Sequence, residues 1–280
     1  MIQAYKKDHE LIAELYARQP DQNQLYIWWL GQSGYLISWN GLQILLDPYL
    51  SDSLSQKYQD TDKPHVRMSE LVVRPELLTN ISLITSSHAH TDHLDPGTLA
   101  PLLKNNPQAD LIVPEAHRKI SSDRASCALA KPIGMDIGSK YQAGDLSIIA
   151  VPAAHESLEK DELGQAIYLG YIISLGPWTL YHSGDTVLYP GMAEILQSYA
   201  IDISFLPING ADPARRVAGN LSAAEAVWLA SQLPSSLTIP GHYHMFEFNS
   251  VEPDEFVSMA EKHAINYKVL AHGELLTLAK

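Results

Sequence analysis

The sequence predicts an α/β protein in which mixed β-sheets are covered by helices. The 280 residues are 46% hydrophobic, which is enough for a large core. Strand patterns follow one another near the start of the chain, whereas strands alternate with helices later, and this combination favours mixed sheets. The sequence contains no linker and no internal repeat, so we expect a single domain spanning residues 1–280.

The first part of the chain has one helical pattern and three strand patterns. Apolar residues at helical spacing predict a short helix near residues 8–18. Strands are predicted next, over residues 25–30, 35–39 and 42–46. Asn40-Gly41 favours a two-residue hairpin turn between the second and third of these strands.

Further along, the pattern changes to strand, loop and helix. Strands are predicted over residues 81–85, 111–113, 146–151, 168–174, 178–182, 201–206 and 237–239. Asp95-Pro96 predicts the start of a helix, because it supplies a capping carboxylate and a proline at the first position. Further helices are predicted near residues 191–199, 222–232 and 253–263. Ser222 and Glu225 have capping-box spacing at the start of the second of these.

Charge and cysteine content exclude several classes of protein. The chain has 19 basic and 32 acidic residues, a net charge of -13, and such a surface repels nucleic acid. Small anions stay plausible ligands, because bound divalent cations would invert the field locally. Cys127 is the only cysteine, which excludes a disulfide framework, and we interpret it as a small buried residue.

No segment predicts export or membrane insertion. Residues 1–10 are charged and lack the apolar stretch of a signal peptide, and no later apolar run has the length that spans a bilayer. We therefore expect a cytoplasmic protein without a membrane partner. The sequence leaves open whether the chain forms a homo-oligomer.

The strongest chemical signal is the segment His88-Ala89-His90-Thr91-Asp92-His93. An extended chain would send residues 88 and 90 to one side, and a turn would aim Asp92 and His93 at a neighbouring point. Imidazole nitrogen and carboxylate oxygen suit Zn²⁺, Mn²⁺ or iron. By chance, this arrangement would occur in roughly one such chain in a thousand.

This segment cannot complete two metal sites alone, so further ligands should follow other strands. Loops after strands carry functional residues, and three such loops contain His155, Asp185 and His242. Asp185 is the natural bridge, because its two oxygens can hold two cations. The predicted ligand sets are His88, His90, His155 and Asp185 for one ion, and Asp92, His93, His242 and Asp185 for the other. Two cations sharing one water would supply hydroxide near neutral pH, with Asp92 or Asp185 orienting it.

Other polar residues receive supporting roles. We predict that His182 either supports Asp185 from behind or is simply buried, and that Asp47 is either a cap or an acceptor of a hydrogen bond from a metal-binding histidine. His244 either reaches the substrate or faces solvent. Asn209, Arg215 and Arg216 follow a predicted strand, and guanidinium groups there suit a phosphorylated small molecule. The alternative for the two arginines is a pair of surface salt bridges.

These motifs resemble those of the metallo-β-lactamase superfamily, which combine His-x-His-x-Asp-His with a later histidine, an aspartate and a final histidine. The resemblance extends from Trp28 to His242 and implies a four-layer αββα sandwich with metals at one edge. Within the superfamily, the chain looks most like the L-ascorbate-6-phosphate lactonase (UlaG-like) branch. That likeness rests on Trp28-Trp29-Leu30-Gly31, on residues 181–185 and on residues 239–246. The chain is shorter than those lactonases, and the residues after His242 differ.

Three functional hypotheses follow. The leading one is hydrolysis of a small anionic ester or lactone by a hydroxide shared between two metal ions. The alternative reaction is hydrolysis of a phosphodiester in a small nucleotide or lipid head group. A protein of another class, a non-catalytic one stabilised by metal, is disfavoured because structural sites are closed and need fewer ligands. A diiron redox role is disfavoured too, because the corresponding resemblance calls for glutamate where this chain has His90.

Overall fold

A computed structural model describes residues 1–233 and 236–280, whose strands form two mixed sheets. Within these residues the first sheet has seven strands, β1 to β6 and β13: Gln24–Gly31, Gly34–Trp39, Leu42–Leu46, Leu83–Thr85, Asp110–Pro114, Pro132–Met135 and Leu275–Ala279. Their order is β13-β1-β2-β3-β4-β5-β6. Pairing is antiparallel from β13 to β3 and parallel from β3 to β6.

The second sheet faces the first and has the order β12-β11-β10-β9-β8-β7. Its six strands in the described chain, β7 to β12, are Lys140–Ala143, Leu146–Pro152, Leu169–Leu175, Trp178–His182, Ile203–Pro207 and Leu237–Gly241. Strands β10, β11 and β12 are parallel, so the loops that follow them leave from the same edge of the sheet.

Helices cover the outer face of each sheet. The α-helices of the described residues, α1 to α7, are His9–Tyr16, Ser53–Tyr58, Pro96–Asn105, Arg118–Arg124, Met192–Gln197, Ala223–Ser231 and Asp254–Lys262. Leu11 of α1 and Leu99 of α3 pack with the outer side of the first sheet. Leu196 of α5, Leu229 of α6 and Phe256 of α7 belong to the core that includes the second sheet. The predicted four-layer αββα sandwich is therefore confirmed.

Alternation along β1 explains why consecutive tryptophans lie in different cores. Trp28 packs on the helix side of the first sheet, and Trp29 packs between the sheets. Both side chains are fully buried, because neighbouring residues of a strand point to opposite faces and both faces are covered here. Neither tryptophan therefore lines an open site.

The helix starts that the sequence predicted from capping residues are present in the structure. The Asp95 carboxylate accepts a hydrogen bond from the Gly97 amide at 3.1 Å, and the Ser222–Glu225 capping box forms at the start of α6. The sequence patterns missed the short elements α2, α4, β6, β7 and β13. Burial differs from prediction at Cys127, which is only partly buried. That the whole chain forms one domain stays a prediction.

No helix in residues 1–233 and 236–280 has the length and apolar character that crossing a bilayer requires.

Candidate metal centre

The histidine segment follows β4 and does not continue as an extended strand. Residues 86–93 form bends and a turn instead, in which the His93 and Leu94 amides donate to the His90 carbonyl at 3.1 and 2.8 Å. The prediction that alternation along a strand groups residues 88 and 90 was therefore wrong in its geometry. The turn still brings the rings of His88 and His90 together, with centroids 4.6 Å apart.

The predicted ligands form two groups. His88, His90 and His155, here called the first cluster, offer nitrogen atoms that all lie within 4.8 Å of one another. Asp92, His93 and His242, here called the second cluster, meet the same criterion. His155 follows β8 and His242 follows β12, so strand ends from the second sheet complete a site begun by the first sheet.

Asp185 lies between the two clusters. Its Oδ1 is 3.2 Å from His93 Nε2, and its Oδ2 is 3.1 Å from His242 Nε2 in the second cluster. The same Oδ2 is 3.7 Å from His155 Nε2 in the first cluster. One carboxylate therefore contacts ligands of both clusters, which is the placement that a bridging ligand requires.

Hydrogen bonds behind the clusters orient three of the histidine rings. His155 Nδ1 donates to the Gly219 carbonyl at 2.8 Å, and His93 Nδ1 lies 2.7 Å from Asp47 Oδ2. His88 Nδ1 is 3.0 Å from the Ser87 hydroxyl. Engaging Nδ1 leaves Nε2 facing the cluster, and partners of this kind fix the tautomer and orientation of metal-binding histidines.

Asp47, which follows β3, connects the two clusters from behind. Besides its contact with His93, its Oδ1 accepts from the Ser87 amide at 3.0 Å and from the Thr85 hydroxyl at 3.2 Å. The Ser87 hydroxyl donates to the other oxygen of Asp47. The structure thus places Asp47 where the sequence predicted it, as an acceptor for a histidine.

Charges differ between the clusters. Burial and the neighbouring His93 lower the pKa of His88 well below its ordinary value. Burial also lowers the pKa of His93, but the carboxylates of Asp185 and Asp92 outweigh it and hold that pKa well above its ordinary value. The pKa of Asp185 lies well below its ordinary value, because His242 and His93 outweigh the effect of burial.

The residues fit a divalent metal ion. His88 Nε2 is buried and has no hydrogen-bond partner in the described chain, although an imidazole nitrogen without a partner is unfavourable in a core. It belongs to a group of three nitrogens beside a carboxylate, a donor set that suits zinc, manganese or iron. The structure and the donor chemistry therefore agree on metal binding.

A cavity of about 420 Å³ opens onto both clusters. Five of its lining residues come from the clusters or the bridge between them: His90, Asp92, His155, Asp185 and His242. The cavity is also lined by cationic and aromatic residues, here called the wall: Lys57, Tyr58, His65, Arg124, Tyr168, Arg216, Phe246 and Phe248.

Only part of the predicted substrate loop reaches this cavity. Arg216 lines it and also contacts Asp62, with an Nη1 to Oδ2 distance of 2.8 Å. Arg215 does not line it, because its guanidinium is turned toward the Asn209 carbonyl. Asn209 is buried behind the lining, where its amide contacts Asn220 and Asn249 at 3.0 Å each. The predictions for Arg215 and Asn209 as substrate contacts are corrected accordingly.

For the other two histidines, the structure distinguishes between the alternatives that the sequence left open. His244 Nε2 is 2.7 Å from Glu252 Oε2, and the ring lies outside the cavity lining, so it does not reach a substrate there. His182 Nε2 donates to the Ser33 carbonyl at 3.0 Å rather than to Asp185. The Ser33 hydroxyl donates to Asp185 at 3.3 Å, so His182 supports Asp185 only indirectly.

Several residues of the site had no signal in the sequence. Gln32, in the turn between β1 and β2, donates to Asp92, and Tyr168 lies beside the first cluster with its ring 5.4 Å from that of His88. Arg124 of α4 donates to the carbonyls of Ala89 and Leu94, on either side of the motif. None of these residues belongs to a recognisable motif, and only tertiary contacts reveal them.

Comparison with known proteins agrees with this geometry. A family model described as a β-lactamase superfamily domain matches residues 26–242. A relative from Pyrococcus furiosus, named a UPF0173 metal-dependent hydrolase, is 30% identical over 256 residues, which cover 89% of this chain and 97% of that protein.

Two solved structures share the fold. A metallo hydrolase from Ignicoccus hospitalis has a TM-score of 0.66 and 22% identity, covering 92% of this chain and 99% of that one. An isothiocyanate hydrolase from Delia radicum gut bacteria has a TM-score of 0.73 and 17% identity, covering 91% of this chain and 100% of that one. At these identities the likeness supports the fold alone.

Proposed function

The chain belongs to the metallo-β-lactamase superfamily, among the UPF0173 metal-dependent hydrolases, and we propose that it hydrolyses a small anionic ester or lactone using two divalent ions. The observation that carries the proposal is the single cavity that joins both ligand clusters to a cationic and aromatic wall. A substrate held by that wall would present its reacting group to Asp92 and Asp185.

The wall favours an anion with a flat apolar part. Lys57 and Arg216 place positive charge at the cavity of a chain whose net charge is -13. The rings of Tyr58 and His65 stack at 4.1 Å, and Phe248 lies 4.4 Å from His65. Guanidinium groups bind phosphate or carboxylate, and aromatic faces bind flat apolar groups. A phosphorylated lactone, as in the L-ascorbate-6-phosphate lactonases, would satisfy both features.

In this proposal the first cluster would hold one ion and the second cluster another, with Asp185 between the two clusters. When bound, the two ions would supply Lewis acidity and a nucleophilic water near neutral pH. Asp92, which is partly exposed to the cavity, orients the nucleophile by accepting its hydrogen bond.

Tyr168 supplies the proton-donating group in this scheme. Burial and the nearby carboxylates of Glu159 and Glu156 raise the pKa of Tyr168, so its phenol stays protonated at neutral pH. It lines the cavity beside His88 and His155, with ring centroids 5.4 and 5.5 Å away. A phenol there can donate a hydrogen bond to the substrate oxygen on which negative charge develops.

Phosphodiester hydrolysis is the second candidate reaction, because two ions can stabilise both the attacking and the leaving oxygen of a phosphoryl group. A non-catalytic metal-binding role is disfavoured, since the clusters open onto a cavity instead of being enclosed.

The test combines metal analysis with an activity screen. The purified protein is analysed for Zn, Mn and Fe, stripped with a chelator, and reloaded with each metal in turn. The panel contains phosphorylated lactones, aryl and alkyl esters with and without a carboxylate, phosphodiesters and an aryl isothiocyanate. We expect two ions per chain and metal-dependent opening of an anionic lactone to a hydroxy acid, or cleavage of an anionic ester to an acid and an alcohol. Turnover of phosphodiesters alone would refute ester or lactone hydrolysis in favour of the second candidate reaction. No turnover of any substrate by the reloaded protein would refute the proposed hydrolase function.

A further inference from the structure

The turn between β1 and β2 lies directly beneath the second cluster. Gln32 in this turn is fully buried, and its backbone has a positive φ of 52°, which is uncommon for a residue other than glycine. Its carbonyl accepts hydrogen bonds from the His242 amide at 2.9 Å and from the Trp29 indole at 3.0 Å. The turn is therefore held in place by the core on one side and by the His242 loop on the other.

The side chain of Gln32 reaches two members of the second cluster. Its Nε2 is 2.8 Å from Asp92 Oδ2 and 3.1 Å from His242 Nε2. Because a carboxylate can only accept hydrogen bonds, the atom that faces Asp92 is the amide NH₂. In the described chain, no hydrogen bond joins this side chain to the first cluster.

Packing alone does not explain an amide at this position. Gln32 Oε1 is buried and has no hydrogen-bond partner in residues 1–233 and 236–280, which is unfavourable for stability. An apolar side chain of the same length would avoid that cost. What the amide adds is the hydrogen bond that fixes the Asp92 carboxylate beside His242.

We propose that Gln32 is a positioning residue that orients Asp92 beside His242 and thereby sets the metal affinity of the second cluster, independently of the first cluster. This inference rests on the proposed two-ion site. Groups that hydrogen-bond to metal ligands typically change metal affinity about 10–100-fold when they are removed. The effect of losing Gln32 should be confined to one of two binding steps.

The experiment is a calorimetric titration of the chelator-treated protein with Co²⁺, followed in parallel by visible absorption. The variant Gln32→Met keeps the length of the side chain and removes its hydrogen-bond donor. Gln32→Leu also removes the donor, but with a shorter and branched side chain. Gln43→Met is the matched control, because Gln43 on β3 is also buried and its Oε1 likewise has no partner in the described residues.

We expect both Gln32 variants to bind one Co²⁺ normally and the other about 10–100-fold more weakly, with an altered absorption spectrum in the weakened step only. Gln43→Met should retain both steps. Two unchanged steps, or equal weakening of both steps, overturn the assignment.

Two further outcomes are informative. If both Gln32 variants unfold in chelator while Gln43→Met stays folded by circular dichroism, Gln32 serves the fold and the proposal is overturned. If the wild-type protein binds a single Co²⁺, both the two-ion function and the assignment of Gln32 are refuted. If the wild type and Gln32→Met bind Co²⁺ in the same two steps, the assignment of Gln32 is refuted but the two-ion function is not.

Discussion

The two clusters are built from similar side chains, but their surroundings differ. The first cluster contains three imidazoles, and His90 is exposed to the cavity. The second contains a carboxylate and has two further polar side chains against it, Asp47 behind His93 and Gln32 beside Asp92. The first cluster is therefore the more open side of the site, and the second is the more charged and more tightly held side.

This difference shows that the residues around each cluster, as well as the candidate ligands themselves, determine the electrostatic properties of the two clusters. Burial favours the neutral form of His88, whereas the carboxylates around His93 favour its charged form. Two chemically similar histidines whose ring centroids are only 4.1 Å apart thus meet opposite electrostatic conditions. Variants that act on one cluster or on both can separate these contributions.

The largest effect is expected from Asp185→Ala, because Asp185 contacts both clusters. Activity should fall by more than the roughly 10–100-fold typical of outer hydrogen-bond partners, and the metal content should fall below that of the wild type. Elemental analysis and kcat/KM measure the two effects. Asp123→Ala, at an exposed position paired with Lys119, is the control. Wild-type turnover by Asp185→Ala would show that the clusters act without this bridge.

Asp47→Asn should have the next largest effect. It keeps the size of the side chain but removes the charge next to His93 Nδ1, so metal affinity should fall about 10–100-fold. Ser87→Ala removes an uncharged hydroxyl that contacts His88 and donates to Asp47, and it should weaken binding less, since it removes no charge. Competition with a chromophoric chelator measures both affinities. Equal losses in the two variants would contradict the view that the second cluster depends more on charge.

Tyr168→Phe tests the cavity side of the first cluster. The phenol is proposed to donate to the substrate, so kcat should fall about 10–100-fold, within the range of a single donor or proton-transfer group, while metal content stays unchanged. Tyr141→Phe is the matched control, because Tyr141 is bonded to Asp110 and lies outside the cavity lining. A Tyr168→Phe enzyme with normal kcat would leave no role for the phenol in the reaction.

The smallest effect at neutral pH concerns His272, a buried histidine outside both clusters that stacks on Trp29 with centroids 4.3 Å apart. Burial, with smaller contributions from His244 and Arg67, lowers its pKa to about 3. The folded protein therefore binds this proton less readily than the unfolded chain. The resulting stability is present above the unfolded pKa of about 6.5 and is lost as the pH falls toward the folded pKa.

The variant His272→Phe keeps a stacked ring and removes the titration. Between about pH 6 and pH 4, the free energy of unfolding of the wild type should fall more steeply than that of the variant, by up to about 1.4 kcal/mol per pH unit. Urea unfolding of both proteins in chelator measures these slopes. Parallel slopes would show that burial alone does not keep His272 neutral, and would weaken the same explanation for His88.

The strand-end residues of the site were predictable from sequence because each carries two signals. His155, Asp185 and His242 are chemically distinctive, and each follows a strand that hydrophobic patterning reveals. Parallel pairing of β10, β11 and β12 then brings their following loops to one edge. The predictions failed where neighbouring residues had equal chemistry, as with Arg215 and Arg216, because only the fold decides which guanidinium faces the cavity.

The sequence by itself determined the mixed sheets covered by helices, the types of the candidate ligand residues and their division into two groups with Asp185 between them, because short-range periodicity and motif spacing encode these features. Only the tertiary structure decided which histidine Asp47 contacts, that Gln32 contacts the second group, and that Tyr168 borders the first. Those contacts join residues far apart in the chain, often through single residues in turns. Their directions depend on packing between the two sheets, which local sequence patterns do not encode.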